Sequence, residues 1–255
     1  MKLTLRVWRQ DGPDAPGHFE SFQLDELGPD MSLLDALDVL NQRLVREGRR
    51  AIAFDSDCRE GICGACGLIV DGLPHGPRAL TTTCELTLRA FADGAALTLE
   101  PLRAAAFPVL RDLVVDRGAL DRVVQAGGYV TVRTGSAPDA NATAVAKAHA
   151  ERALDAAACI GCGACVAACP NRSAALFTGA KLVHLAQLPQ GAPERRRRAL
   201  SLVAAADREG FGACSLHGEC EAACPTGIGP HVIAGMNREF LRAGVRRMRG
   251  RDLTS

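Results

Sequence analysis

Eleven cysteines stand in three groups: Cys58, Cys63 and Cys66 with Cys84; Cys159, Cys162, Cys165 and Cys169; then Cys214, Cys220 and Cys224. Thiolates are ligands for soft metal centres, and their spacing selects the centre. C-x4-C-x2-C followed by a distant Cys is the plant-type 2Fe-2S pattern, and C-x2-C-x2-C-x3-C-P is the bacterial 4Fe-4S pattern. Gly61, Gly64, Ala65 and Gly67 keep the first loop small, so that it can wrap a cluster and turn backbone N–H groups toward its sulfurs. The competing reading is a zinc-stabilised binding module, which favours separated C-x2-C pairs over this wrap. Brown colour and acid-labile sulfide distinguish the two.

The second and third groups must be read together. In paired runs the Cys before Pro serves the other cluster. Cys159, Cys162 and Cys165 therefore take Cys224, which precedes Pro225, and complete a 4Fe-4S site. Cys169, which precedes Pro170, joins Cys214 and Cys220. The two runs share one spacing, except that His217 stands where a Cys is required. Three thiolates predict a 3Fe-4S cluster; ligation of a fourth iron by the His217 imidazole is the alternative. The other histidines, His18, His75, His149, His184 and His231, read as core or surface residues. Arg59 reads as a charge that offsets the first cluster.

These ligands need a scaffold, and 255 residues suffice for two ordinary domains. Leu3, Leu5 and Val7 alternate as in a half-buried strand, and a second strand is expected at Phe19–Leu24. Ser32 caps an amphipathic helix over Met31–Glu47 that Gly48 closes. Short strands are expected at Ala51–Phe54, at Leu68–Val70 before an Asp71-Gly72 turn, and at Ala96–Leu99. Strands around one helix, with cysteines on the loops, predict a β-grasp layout. Beyond Pro108 the patterns predict helices at Leu113–Gln125, Asn141–Ala158, Arg195–Ala206 and Val232–Arg247, with a weak strand at Tyr129–Arg133 and a loop at Gly135–Pro138. The fold class is α+β: a plant-type ferredoxin domain at 1–106, then an all-α bacterial-ferredoxin-like domain at 107–255.

Formal charge is +1, from 30 basic and 29 acidic residues, so nothing global points to nucleic acid. No apolar run approaches the ~18–20 residues that cross a bilayer, and the first residues lack a signal-peptide core; a soluble cytoplasmic polypeptide is expected. Two basic runs stand out, Glu194–Arg198 and the series Arg238, Arg242, Arg246, Arg247, Arg249 and Arg251, with Phe240, Leu241 and Val245 on the opposite helix face. They read either as solvated faces or as contacts with anionic lipid.

The chain resembles the iron-sulfur subunits of succinate dehydrogenase and fumarate reductase. The likeness spans nearly the whole chain and rests on SDCREGICGACG at Ser56–Gly67, FPVLRDLVVD at Phe107–Asp116, CIGCGACVAACPN at Cys159–Asn171 and CSLHGECEAACPTGI at Cys214–Ile228. The resemblance implies a relay of single electrons from an FAD-containing flavoprotein that oxidises succinate. They pass through 2Fe-2S, 4Fe-4S and 3Fe-4S centres to quinone, and no residue of this chain converts substrate. It also implies membrane anchor subunits, which in some complexes carry haem b, a quinone near the 3Fe-4S centre beside Ser215, and a peripheral location on the cytoplasmic face of a bacterial membrane. The same relay run as a fumarate reductase, or serving another flavoprotein, is the alternative. Two departures stand out. Seventeen residues separate Cys66 from Cys84, which predicts a longer hairpin through LPHGPRAL, and Asn171-Arg172-Ser173-Ala174 stands where many members carry Trp after the Cys-Pro. Both features bring the chain nearest the divergent bacterial branch.

Overall fold

In the computed structural model, residues 1–130, 140–142, 144–189 and 191–248 are described. The predicted strand at Tyr129–Arg133 runs past these residues, and the loop at Gly135–Pro138, Arg249 and Arg251 lie outside them. The chain packs as two units that interleave along the sequence. The first comprises Met1–Arg117, Ile160–Arg172 and Leu216–Gly227; the second comprises Gly118–Cys159, Ser173–Ser215 and Ile228–Ser255. Packing thus groups residues differently from a single cut after residue 106.

In the first unit β1 (Leu3–Arg9) pairs antiparallel with β2 (His18–Leu24). Helix α1 (Leu33–Arg46) starts at a capping box: the Ser32 hydroxyl accepts the Asp35 N–H at 3.1 Å, and the Asp35 carboxylate accepts the Ser32 N–H at 2.9 Å. Strands β3 (Leu68–Val70) and β4 (Leu73–Pro74) follow, joined by Asp71 and Gly72, whose φ angles of 49° and 82° make the tight turn read from the sequence. Strand β5 (Ala95–Pro101) runs parallel to β1 and antiparallel to β3, giving a mixed sheet of order β2-β1-β5-β3-β4. One core gathers Leu5 and Val7 of β1, Leu37 and Leu40 of α1, and Leu97 and Leu99 of β5.

Two expectations fail here for one reason. Ala51–Phe54 is not a strand, because side chains take its backbone groups: Asn41 bonds both N–H and C=O of Ile52, and Asp112 accepts the Ala53 N–H. Leu113–Gln125 is not one helix. A small hairpin, β6 (Val109–Arg111) with β7 (Val114–Val115), precedes α2 (Gly118–Gln125). At its tip Asp112 holds a left-handed φ of 46° and is fully buried, accepting from the N–H groups of Gln10 and Ala53 and from both Nη atoms of Arg50.

The remaining elements are α3 (Lys147–Ala157), α4 (Ala164–Ala168), α5 (Ala175–Ala186), α6 (Ala192–Arg208), α7 (Glu219–Ala222) and α8 (His231–Met248). The short α4 and α7 pack together in the first unit. In the second, α5 packs against α3, α6 and α8. Gly179 and Gly235 allow close approach between α5 and α8: a Cβ on Gly179 would sit 2.8 Å from the Val232 carbonyl oxygen. Among the described residues, no helix is long and apolar enough to cross a membrane. On α8 the buried residues include Val232, Ile233, Met236, Glu239 and Ala243, whereas Phe240, Leu241 and Val245 are exposed along with Arg242 and Arg246. The basic run on α6 is only partly a solvated face. Arg198 is buried and donates to Gly127 O and Glu194, each at 2.8 Å, and Arg195 grips Glu239 through two bonds of 2.6 Å.

Candidate metal centres

None of the eleven cysteines is in a disulfide. The first group lies on the loops that follow α1 and β4, with Cys66 and Cys84 buried and Cys58 and Cys63 half-buried. Glu60 N–H donates to Cys58 Sγ at 3.3 Å and Ala65 N–H to Cys63 Sγ at 3.4 Å, while Thr82 Oγ1 lies 3.2 Å from Cys84 Sγ. Donors from the backbone of Glu60 and then Ile62, with the Cys63 side chain adding to them, bring the Cys58 thiol down to about 7. Burial pushes the Cys66 thiol up to about 12, although it shares a hydrogen bond with Cys84. The four sulfurs therefore interact pairwise, Cys58 with Cys63 and Cys66 with Cys84, and Cys63 also acts on Cys66.

This loop fits an iron-sulfur centre by the chemistry of its donors. All four are sulfur, backbone N–H groups already point at two of them, and a buried thiol resists losing its proton to water but surrenders it to a cation. Gly61 and Gly64 hold φ of 70° and 72°. A Cβ on Gly64 would meet the Ile160 carbonyl oxygen at 2.4 Å, so this loop lies directly on the segment that carries Cys162. Arg117 ties the two together, donating through Nη1 to Gly64 O and, at 3.3 Å, to Cys162 O. Arg59 forms ion pairs with Asp35 at 3.1 Å and Asp38 at 2.7 Å on α1, and its pKa is raised first by Asp38, then by Asp35 and also by Cys84 of the first group.

The repeat read from spacing is also a repeat of backbone. Gly161, Gly163 and Arg172 hold positive φ at 69°, 85° and 54°; Leu216, Gly218 and Gly227, each 55 positions later, do so at 56°, 89° and 70°. In both runs the left-handed glycine caps a short helix that carries a cysteine, Gly163 before Cys165 in α4 and Gly218 before Cys220 in α7. His217 thus occupies the backbone position that Cys162 holds in the first run, and it is exposed. Cys162, Cys169 and Cys224 are buried, Cys165 and Cys220 half-buried, and all five belong to the first unit. Cys159, whose carbonyl accepts from Lys181 Nζ at 3.0 Å, and the exposed Cys214 belong to the second. Among the described residues, no three His, Cys, Asp or Glu side chains converge on a point that a single metal ion would fill.

Ser215 is exposed next to Cys214. A cavity of about 210 Å³ in the second unit is lined by Cys214, Ser173, Thr178, Phe211, Met236 and Asn237, among others, but not by Ser215. Sequence reasoning missed the buried Thr178 there, and it missed Asp112 and Arg117. Asp112 and Arg117 act through partners far away in the chain, and Thr178 is marked only by the burial of its hydroxyl.

Comparison with known proteins identifies two iron-sulfur domain families along the chain. Residues 4–122 match the family described as "2Fe-2S iron-sulfur cluster binding domain", and residues 155–228 match "4Fe-4S dicluster domain". The "Succinate dehydrogenase iron-sulfur subunit" of Bacillus subtilis (strain 168) is 28% identical over 262 residues, covering 98% of this chain and 97% of that one. The "Fumarate reductase iron-sulfur subunit" of Mycobacterium tuberculosis (strain CDC 1551 / Oshkosh) is 31% identical over 237 residues, covering 89% and 87%. A chain of the solved "Mycobacterium smegmatis Sdh1 complex in the apo form" shares the fold, with a TM-score of 0.65 at 22% identity over 97% of each chain.

Proposed function

The chain belongs to the family of iron-sulfur subunits of succinate dehydrogenase and fumarate reductase, and on that premise we propose which residues hold its centres and which partners it serves. It is an electron-transfer subunit of an oxidoreductase complex, with 2Fe-2S, 4Fe-4S and 3Fe-4S centres. Cys58, Cys63, Cys66 and Cys84 would hold the 2Fe-2S centre, Cys159, Cys162, Cys165 and Cys224 the 4Fe-4S centre, and Cys169, Cys214 and Cys220 the 3Fe-4S centre. When bound, these centres supply one-electron exchange, dividing the two electrons of the succinate–fumarate couple into single steps between flavin and quinone. The chain's own residues grip the iron, donate N–H groups to sulfur and exclude water around Cys66, Cys84 and Cys162.

As cluster-binding modules we assign a β-grasp ferredoxin domain to 1–106 and an α-helical ferredoxin-like domain to 107–255. The partners are an FAD-containing flavoprotein and membrane anchor subunits, with quinone near the 3Fe-4S centre beside Ser215. The subunit then sits peripherally on the cytoplasmic face of the membrane.

The observation that carries the ligand assignment is the doubled backbone, with His217 in the place of the one missing thiolate. Electron paramagnetic resonance of the oxidised complex tests it. A 3Fe-4S signal is expected in the natural protein, and His217→Cys is expected to abolish it by restoring a fourth thiolate and with it a fourth iron. A natural protein without that signal, or a variant that keeps it, refutes the assignment.

A further inference from the structure

His75 stands on the segment that lengthens the connection from Cys66 to Cys84. Only 2% of it is exposed, and its backbone is left-handed at φ 65°, held by its own N–H donating to Leu68 O at 2.9 Å. Thr83, the residue before Cys84, donates its backbone N–H to His75 Nδ1 at 3.3 Å, and the Thr83 hydroxyl lies 3.0 Å from the same nitrogen. A backbone N–H can only donate, so Nδ1 bears no proton and the proton of a neutral ring sits on Nε2. Burial, and then the charge of Arg117, bring the imidazolium down to about 4, so the ring is neutral near pH 7.

Nε2 is thus a buried N–H with no hydrogen-bond partner among the described residues. A buried donor left unmet is costly, so the ring gains from a partner at Nε2. Cε1, the carbon bonded to both ring nitrogens, lies against the turn after Cys66: a Cβ on Gly67 would stand 3.6 Å from it and 3.5 Å from Cys162 O. One ring therefore bonds to the residue before Cys84 and lies beside the turn after Cys66, next to two of the four ligands assigned to one centre.

We propose that His75 is a positioning residue that sets the reduction potential of the 2Fe-2S centre: the bonds between Thr83 and Nδ1 orient the ring, and Nε2–H is the donor it thereby holds for the centre beside the Cys66–Gly67 turn. Hydrogen bonds toward sulfur favour the reduced, more negative state, so this donor raises the potential. The proposal rests on assigning Cys58, Cys63, Cys66 and Cys84 to a 2Fe-2S centre, and its test separates the two.

The assembled complex is made with His75→Asn and His75→Gln. Asparagine puts an acceptor where Nδ1 stands and removes the Nε2 donor; glutamine reaches the Nε2 position with an amide N–H₂. Iron, sulfide and the 2Fe-2S resonance signal are measured first, then the potential of each centre by resonance-monitored redox titration. His75→Asn is expected to keep the cluster but to weaken its reduction about tenfold, ~59 mV for one electron, while His75→Gln stays near the natural value and the other centres do not move. An asparagine variant that titrates like the natural protein, or equal shifts in both variants, overturns the role of His75. Should asparagine lose the cluster, the glutamine variant decides alone: a natural potential supports the donor and a shifted one removes it. A natural complex with no 2Fe-2S signal defeats the ligand assignment itself, and the inference with it.

Discussion

Asp112 shows how much one side chain can organise. It has no exposed surface, and its carboxylate takes four hydrogen bonds, from Gln10, Ala53 and twice from Arg50, with Arg9 Nη1 3.6 Å away. Burial lowers the pKa of Arg9, against the pull of Asp112. Asp112→Ala leaves those cations and N–H groups without their acceptor, and a loss of about 3–5 kcal/mol is expected, read as a lower denaturant midpoint for the holoprotein. The thiols were legible before the structure because their chemistry depends on local spacing. Asp112 and His75 were not, because the bonds that define them reach 102 and 59 positions away in one case and join two loops in the other. His75 carries no record of such partners in the sequence, and the FPVLRDLVVD stretch that contains Asp112 does not reveal them either.

At the level of elements, periodicity succeeded where one face of a segment meets water. β1 and α1 bury one side only, and their patterns said so. Helix α5 went unread because it is buried nearly all round, with Leu176, Phe177, Leu182 and Val183 leaving no polar stripe to mark its period. The Ala51–Phe54 segment misled in the opposite way: its apolar residues are real, but Asn41 and Asp112 take the bonds a strand partner would make. The joint between α6 and α8 offers a pH test. Burial raises the Glu239 carboxylate, but Arg195 and then Arg242 outweigh it and hold it below its ordinary value. A depressed carboxylate stabilises the fold above its unfolded pKa of about 4.3, and that gain is lost as pH falls through the lower folded value. Glu239→Gln should therefore cost on the order of 2 kcal/mol at pH 7 and progressively less below about pH 4, checked by thermal unfolding across that range.

Across the whole molecule, the first unit draws on three separate stretches of chain. Phe107 is fully buried, and a Cβ on Gly163, from the second stretch, would lie 2.9 Å from its ring. Residues 1–117 produced alone should expose Phe107 and bind more apolar dye per molecule than the full chain; equal dye binding would mean that the returning segments are dispensable for that packing. The two-part architecture was legible from the two kinds of cysteine spacing, but the interleaving was not, since contacts such as Gly64 on Ile160 leave no local mark. That interleaving also bears on biosynthesis. A ribosome adding about 5–20 residues per second needs roughly 5–20 s to travel from residue 117 to residue 227, and for that interval the nascent chain displays thiols whose neighbours have not yet been translated. Iron delivery timed to the end of translation, or a chaperone that covers the early cysteines until then, would spare them oxidation.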